Sequence, residues 1–492
     1  MTARRAIVIG GGISGLATAN LLAHDGWQVT VLEQRHQLGG RAGLLKAEGF
    51  TFDTGPSWYL MTEVFDRYYS LLGYKTGDLL DLVRLDPAYR VFSPERAPIT
   101  IQSDVEAAAA TFESLESDAG QKLRKYLQRA EAMYDLALNQ FLYTNFEKPA
   151  SLINPGLLKH LSLIPRSRSL HVYVAKQFKH PVLRQILEYP GVFLGVSPYK
   201  APALYSLMSH LDIKQGVYYP RGGMYEIIKS MEKIGTDLGV SYRLNTEVTG
   251  IDVDDSRAKS ISLVSGDTLQ ADLVISAADL FHTEHSLLQP QQRTYSEAFW
   301  KKAQPGPSAL LLYLGIKGRL PQLVHHNLIF TSDWRSNFAD VFGGSKWPYP
   351  ASMYVSAPSR TDPSVAPTGQ ENLFVLVPLP AAVTHNEAEQ TRHIEQYLDQ
   401  LAVAINAPDL RSRIIVQKSF GPSEFAEQLN AWQGGALGLG HTWMQSAMFR
   451  PGIRSKKVSN LFYVGTNVRP GVGLPMCLIS SELVRDAVKA TQ

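Results

Sequence analysis

The sequence predicts an α/β fold, and two stretches at opposite ends of the chain predict it. The first runs from an apolar tetrad, Ala6-Ile7-Val8-Ile9, through the turn Gly10-Gly11-Gly12-Ile13-Ser14-Gly15 and a helical stretch, Leu16 to His24, to a second apolar run, Val29 to Leu32. The second takes Leu461-Phe462-Tyr463-Val464 through a glycine-rich turn into a helix, Met476 to Val488, with Leu478, Ile479, Leu483 and Val484 on one side. Apolar runs without polar alternation suit parallel strands buried on both faces. A strand, a glycine turn and a helix in that order form a Rossmann-type unit. Between these ends, apolar strands such as Leu310 to Leu314 and Leu373 to Val377 alternate with loops rich in Pro and Ser, and they read as a second sheet.

The N-terminal turn carries the most specific chemistry. Gly10 permits a tight turn off the strand, Gly12 lets the backbone approach a diphosphate, and Gly15 lets the helix pack closely on the sheet. Ile13 and Ser14 open that helix, whose N-terminus favours negative charge. Ile13, Leu16, Ala17 and Leu21 fall at helical spacing on one face. Glu33, at the end of the second strand, can accept from a ribose 2′-hydroxyl and repels a 2′-phosphate, so FAD or NAD fits better than NADP. A glycine turn alone is weak evidence; one that follows a strand, opens a helix and ends at an acid is not.

Composition bounds the rest. The chain has 492 residues, 45% hydrophobic and 19% charged, which describes a globular protein with a large core. A net charge of +3 is too small to suggest a nucleic-acid partner. One cysteine, Cys477, excludes an intrachain disulfide and fits a reducing cytoplasm, and its neighbourhood suggests packing. Met1 to Arg5 lead directly into the first strand, leaving no room for a signal peptide. No apolar run reaches the roughly 18 residues of a membrane span, so any membrane contact is expected to be peripheral. His325 and His326 are adjacent and expected on opposite faces of a strand, a poor metal pair, and no metal-ligand spacing occurs elsewhere.

Beyond Glu33 come Gln34, Arg35 and then Leu38-Gly39-Gly40-Arg41-Ala42, where paired glycines admit a phosphate and Arg41 supplies charge. Gly49-Phe50-Thr51-Phe52-Asp53-Thr54-Gly55-Pro56 alternates as a short strand and ends in a turn. Together with Ser57-Trp58, this run resembles the bacterial phytoene desaturases and their carotenoid-oxidoreductase relatives, FAD-dependent members of the amine-oxidase superfamily. Phe52 to Met61 and Gly473 to Leu478 look most like those of actinobacterial type.

The resemblance spans nearly the whole chain. It implies FAD-binding segments at 1–75, 215–290 and 440–492, substrate-domain segments at 76–110 and 291–439, and a helical cap at 111–214 facing a membrane. Ser117 to Phe141 is helical by its apolar stripe. From Ser151 to Arg184, Lys159, Arg166, Arg168, Lys176, Lys179 and Arg184 interleave with bulky apolar residues and no acids. That mixture suits either an anionic lipid surface or a solvated helical face. Tyr218 to Met224 resembles the central family motif and leads into a helix, Tyr225 to Leu238; Val240 to Val248 reads as a strand. A hairpin of Ile251 to Leu263 and Thr268 to Ser276 follows, turning at Gly266-Asp267. By resemblance, FAD contacts Gly10, Gly12, Ile13, Ser14, Gly15, Glu33, Gln34, Gly39, Gly40, Arg41, Gly55, Pro56, Val248, Ala277, Gly465, Gly473, Leu474 and Pro475.

The implied reaction is desaturation of phytoene toward lycopene: a hydride leaves an allylic CH₂ for flavin N5, and the vicinal carbon loses a proton. The expected partners are a hydrophobic polyene, C40 or C30, an anionic membrane surface, and quinone or oxygen as electron acceptor. No catalytic base stands out. Two other readings share the fold: an amine or protoporphyrinogen oxidase or another carotenoid oxidoreductase, and a prenyl-chain carrier.

Overall fold

The computed structural model describes residues 4–94, 96–146, 169–383 and 386–491. A five-stranded, all-parallel sheet gathers both ends of the chain and its middle. Its spatial order is Leu461–Tyr463, Leu273–Ser276, Arg5–Ile9, Gln28–Leu32 and Ser241–Arg243. Ile7 sits between Val274 and Thr30, so the first strand is central and buried on both sides. The helix Ile13–His24 packs against both Tyr225–Asp237 and Leu474–Lys489. The sequence suggests one apolar face for it; the structure buries every residue from Ile13 to Leu22, because two helices cover what would be its outer side. Small residues, Ser14, Gly15, Ala17, Thr18 and Ala19, make that close packing possible.

Two expectations about the middle of the chain are corrected. Val240 to Val248 is not one strand. Ser241–Arg243 joins the parallel sheet, Asn245 takes a left-handed conformation, and Val248–Asp254 begins a different sheet. The predicted hairpin is a three-stranded antiparallel sheet, Val248–Asp254, Arg257–Leu263 and Thr268–Gln270, with an extra turn at Asp255-Ser256. Leu273–Ser276 leaves it to pair with Arg5–Ile9.

The second sheet is mixed, with seven strands in the order Ile414–Phe420, Ser308–Ile316, Glu371–Leu379, Met353–Ser356, His326–Ile329, Tyr89–Phe92 and Ile99–Ile101. His326–Ile329 and Tyr89–Phe92 run parallel, and the other pairs antiparallel. Alternation along Ser308–Ile316 divides its faces. Leu310, Leu312 and Leu314 share a core with Ile394, Leu398 and Leu401 of the helix Glu387–Ala404. Leu311 and Tyr313 share another with helices that include Val105–Leu115, Ala119–Ala137 and Pro181–Glu188. Ala119–Ala137 continues into a π-helical turn, Leu138–Leu142. Lys159, Arg166 and Arg168 of the basic stretch lie outside the described residues.

Candidate active site

Asp53 joins the first family-like motif to the central one. It ends the strand Phe50–Asp53, and its carboxylate accepts from the backbone N–H groups of Met224 (2.8 Å) and Tyr225 (3.0 Å), where the helix Tyr225–Asp237 begins. A carboxylate at a helix N-terminus is favoured; burial nevertheless pushes this carboxyl up to about 6.

Glu33 is pinned in the same way. Its Oε2 accepts from Gly11 N (2.8 Å) and its Oε1 from Arg35 N (2.9 Å), so the acid is fixed beside the glycine turn. Its remaining lone pairs can serve a ribose. Gln34 donates to the Gln428 carbonyl (2.9 Å) and accepts from Asn430 (3.1 Å).

At the other end of the chain a buried cation holds the second turn. Arg450 is 2% exposed. Its guanidinium donates to the carbonyls of Val468 (3.1 Å), Gln445 (3.0 Å), Leu439 (2.9 Å) and Thr466. Asn467, between two of these carbonyls, donates to Asp279 Oδ2 (2.8 Å) and accepts from Leu439 N (2.9 Å). The Gly465 turn is thereby tied to the segment following Ala277. Burial lowers Arg450 to about 10, which leaves it charged at neutral pH.

These turns open on one cavity of about 1190 Å³. Every residue expected at the cofactor lines it except Gly15, which lies beneath, where its helix meets the Gly10 carbonyl. The cavity exceeds the roughly 300–1,000 Å³ of ordinary ligand pockets, which leaves room for two ligands. Its other end is walled by Trp58, Tyr189, Phe193, Phe330, Phe338 and Tyr354.

Two buried titratable groups near the cavity are shifted toward their neutral forms. His441 Nε2 accepts from Val472 N (3.1 Å), so its proton is on Nδ1, 2.9 Å from the Tyr205 hydroxyl. Burial holds it well below the usual range. With both ring nitrogens engaged it positions the Val472 loop and is not available as a base. Asp212 accepts from the hydroxyls of Tyr189 (2.7 Å) and Tyr89 (3.3 Å). Burial pushes its carboxyl up to about 7, although both phenols pull it down. The folded state therefore retains a proton that the unfolded chain releases. The stabilisation this provides is complete below about pH 4 and is lost as pH rises through about 7. Asp212→Asn should flatten that decline, seen as urea midpoints that differ less between pH 5 and pH 8 than in the native protein. Equal declines would contradict the assignment.

His325 and His326 do not point to opposite faces. His325 precedes the strand His326–Ile329, and the rings pack edge to face with centroids 4.5 Å apart. His325 meets Thr361 Oγ1 (2.9 Å) and His326 the Tyr354 hydroxyl (2.7 Å). Cys477 lines the cavity with its thiol pushed up to about 12 by burial, so it stays protonated. Among the described residues no group of three or more His, Cys, Asp or Glu is placed to hold a metal.

The chain matches the family of flavin-containing amine oxidoreductases over residues 13–488. It belongs to that family. It is 41% identical over 488 residues to a carotenoid 3,4-desaturase of Haloarcula japonica, covering 98% of this chain and 97% of that protein. It is 34% identical over 490 residues to a zeta-carotene-forming phytoene desaturase of Myxococcus xanthus, covering 98% and 93%. An oxidoreductase structure from Methanosarcina mazei superposes with a TM-score of 0.66 at 18% identity, covering 98% of this chain and all of that one, and shares its fold. Within the family the chain stands with the carotenoid desaturases. It is an FAD-dependent oxidoreductase.

The residues present fit FAD. A Cβ on Gly12 would meet nothing nearer than 3.9 Å, so bare backbone faces the cavity beside a helix N-terminus. Arg41 lines the same part, and its buried Nε has no partner among the described residues. An anionic group at that point would satisfy it. Arg450 and Asp212 carry no sequence signal, because their partners are backbone carbonyls and phenols brought together only by the fold.

Proposed function

We propose that this chain desaturates an acyclic carotenoid, phytoene or a later intermediate on the same carbon chain. The cavity carries this reading: it runs without interruption from the glycine turns to an aromatic wall that suits a long, flat polyene. A flavin held by these turns would supply a two-electron oxidation, for which an allylic CH₂ would give up a hydride and the vicinal carbon a proton. The chain's residues hold the polyene and exclude water, and burial keeps His441 and Cys477 neutral. The developing positive charge is delocalised over the polyene, so a weak acceptor suffices for the proton. The similarity to the Haloarcula carotenoid 3,4-desaturase favours a second reading, desaturation at a 3,4 bond; a C30 substrate is the other alternative. Quinone or oxygen would reoxidise the flavin.

We also propose that substrate enters from a membrane, on a surface other than the basic stretch. Trp443, Met444, Met448 and Phe449 are 60%, 70%, 42% and 54% exposed, and all but Met444 line the cavity. Large apolar side chains at a cavity mouth suit insertion into a leaflet. Exposed Lys456 and Lys457 follow along the chain and suit anionic headgroups. Among the described residues no helix is long and apolar enough to cross a membrane. Purified protein with phytoene-loaded anionic liposomes and a quinone should give new visible polyene bands. The double variant Trp443→Ser, Phe449→Ser should float with liposomes less and turn over several-fold more slowly while keeping its flavin. Unchanged flotation and turnover would remove this entry surface, and absence of polyene bands would remove phytoene as substrate.

A further inference from the structure

Ser57 stands on a boundary inside the cavity. Gly55 and Pro56, just before it, are among the residues expected at the cofactor, and Trp58, just after it, belongs to the aromatic wall. Ser57 lines this cavity and also a second void of about 10 Å³, the room of one water molecule. That void is polar for its size: Asp53, Tyr219, His325, Ser356 and Asn372 share its lining with Ser57. The Tyr354 hydroxyl, at the cavity wall, is hydrogen-bonded to both Ser57 and Ser356. Hydroxyls facing the polyene are thus backed by a wet pocket that ends at a carboxylate.

The groups around the void differ in their readiness to take a proton. Burial pushes the Tyr219 phenol up, so it stays protonated, and pushes His325 down to about 3, so it is a poor base. Burial raises Asp53 to about 6, which makes it the strongest acceptor there that is still ionised at neutral pH. Each of its oxygens accepts one backbone N–H, from Met224 or Tyr225, and keeps a further lone pair. The charges that face it come from the helix it caps, Glu226 raising it and Lys229 lowering it.

We propose that Ser57 and Asp53 form the outlet for the proton lost from the vicinal carbon, joined by a water in the void they share. This rests on the desaturase reading and supplies its proton acceptor. As the allylic carbon gives a hydride to a flavin, the vicinal C–H bond breaks and its electron pair becomes the new C=C bond. The proton goes to Ser57 Oγ, the Ser57 hydroxyl proton to the water, and one from the water to an Asp53 oxygen. As a donor Ser57 Oγ makes one long bond, to the Gly55 carbonyl (3.2 Å), and a hydroxyl can turn between partners.

The test follows single-turnover bleaching of the flavin by acyclic polyenes in liposomes, without oxygen, from pH 5 to pH 8. Asp53 takes a proton only as the carboxylate, so the native rate should be level above its midpoint of about 6 and fall about tenfold by pH 5. Asp53→Asn should be about a hundredfold slower at pH 8 and lose that fall. Ser57→Ala should slow bleaching by about tenfold or more with native flavin content, and Ser57→Thr, which keeps the hydroxyl, should recover most of the rate. Asp53 also caps a helix, and a purely structural role would lower the rate equally at every pH and leave the fall in place. Infrared spectra of the oxidised protein without substrate read the same group apart from activity. A protonated-carboxyl band should grow as pH falls through about 6 and be missing in Asp53→Asn. Should Asp53→Asn not fold, the native profile and the two Ser57 variants decide. A level native profile, a fall that persists in Asp53→Asn, or a native rate in Ser57→Ala overturns the outlet and leaves the desaturase reading standing. Bleaching at no pH removes both.

Discussion

Gly12→Ala is expected to yield a folded protein that no longer holds its flavin. Gly12 has φ −74° and ψ 174°, which alanine adopts without strain, and a Cβ there has no neighbour within 3.9 Å. The methyl group would project toward the space that the diphosphate of FAD must approach, so the cost falls on binding. A loss of tenfold in affinity corresponds to about 1.4 kcal/mol, and at least that much is expected from displacing a charged group from its backbone donors. Gly15→Ala separates binding from folding. Its Cβ would lie 2.0 Å from the Gly10 carbonyl oxygen and 3.1 Å from the Ala277 Cβ, so the helix must move off the sheet. Overpacking costs about 1–3 kcal/mol where side chains can yield, and backbone yields less. Gly15→Ala should therefore lose both flavin and stability. The checks are the flavin-to-protein absorbance ratio and the urea midpoint. Gly12→Ala with native flavin content would show that the diphosphate lies elsewhere.

Arg450→Met should be the most damaging single change outside the glycine turns. It removes a buried guanidinium from four backbone carbonyls on both sides of the Gly465 turn. Methionine replaces much of the volume and none of the donors. Leaving several buried carbonyls unpaired costs on the order of 3–5 kcal/mol. The loosened Thr466–Val468 segment should also release flavin. Arg450→Lys restores the charge but not the fork of donors, and should recover only part of the loss. Urea unfolding and flavin fluorescence after dilution measure the two effects. A native midpoint for Arg450→Met would contradict the role.

What could be read in the sequence was local. The Gly10–Gly15 turn, Glu33 and the strand-turn-helix at the C-terminus announce themselves because spacing and backbone freedom are properties of neighbouring residues. The central region was harder. Apolar alternation from Ile251 to Ser276 does not distinguish an antiparallel partner from a parallel one, so Leu273–Ser276 could not be separated from the hairpin before it. The break at Asn245 is imposed from outside: Asn245 N donates to the Arg35 carbonyl (3.0 Å) and Thr246 N to that of Glu33 (2.8 Å). Ser57 follows a Gly-Pro turn that reads as punctuation until the cavity and the void it lines are known. Exposed Trp443 and Phe449 were unremarkable as sequence, because only the fold sets them at a mouth.

The most direct test of the central claim is a single turnover without oxygen. Flavin-loaded protein is mixed with liposomes bearing an acyclic polyene of known conjugation, and the flavin and polyene bands are followed together. The account predicts that the flavin's visible band is lost at the same rate as longer-wavelength polyene bands appear, one additional double bond for each flavin reduced. A flavin that stays oxidised with both C40 and C30 substrates would contradict it.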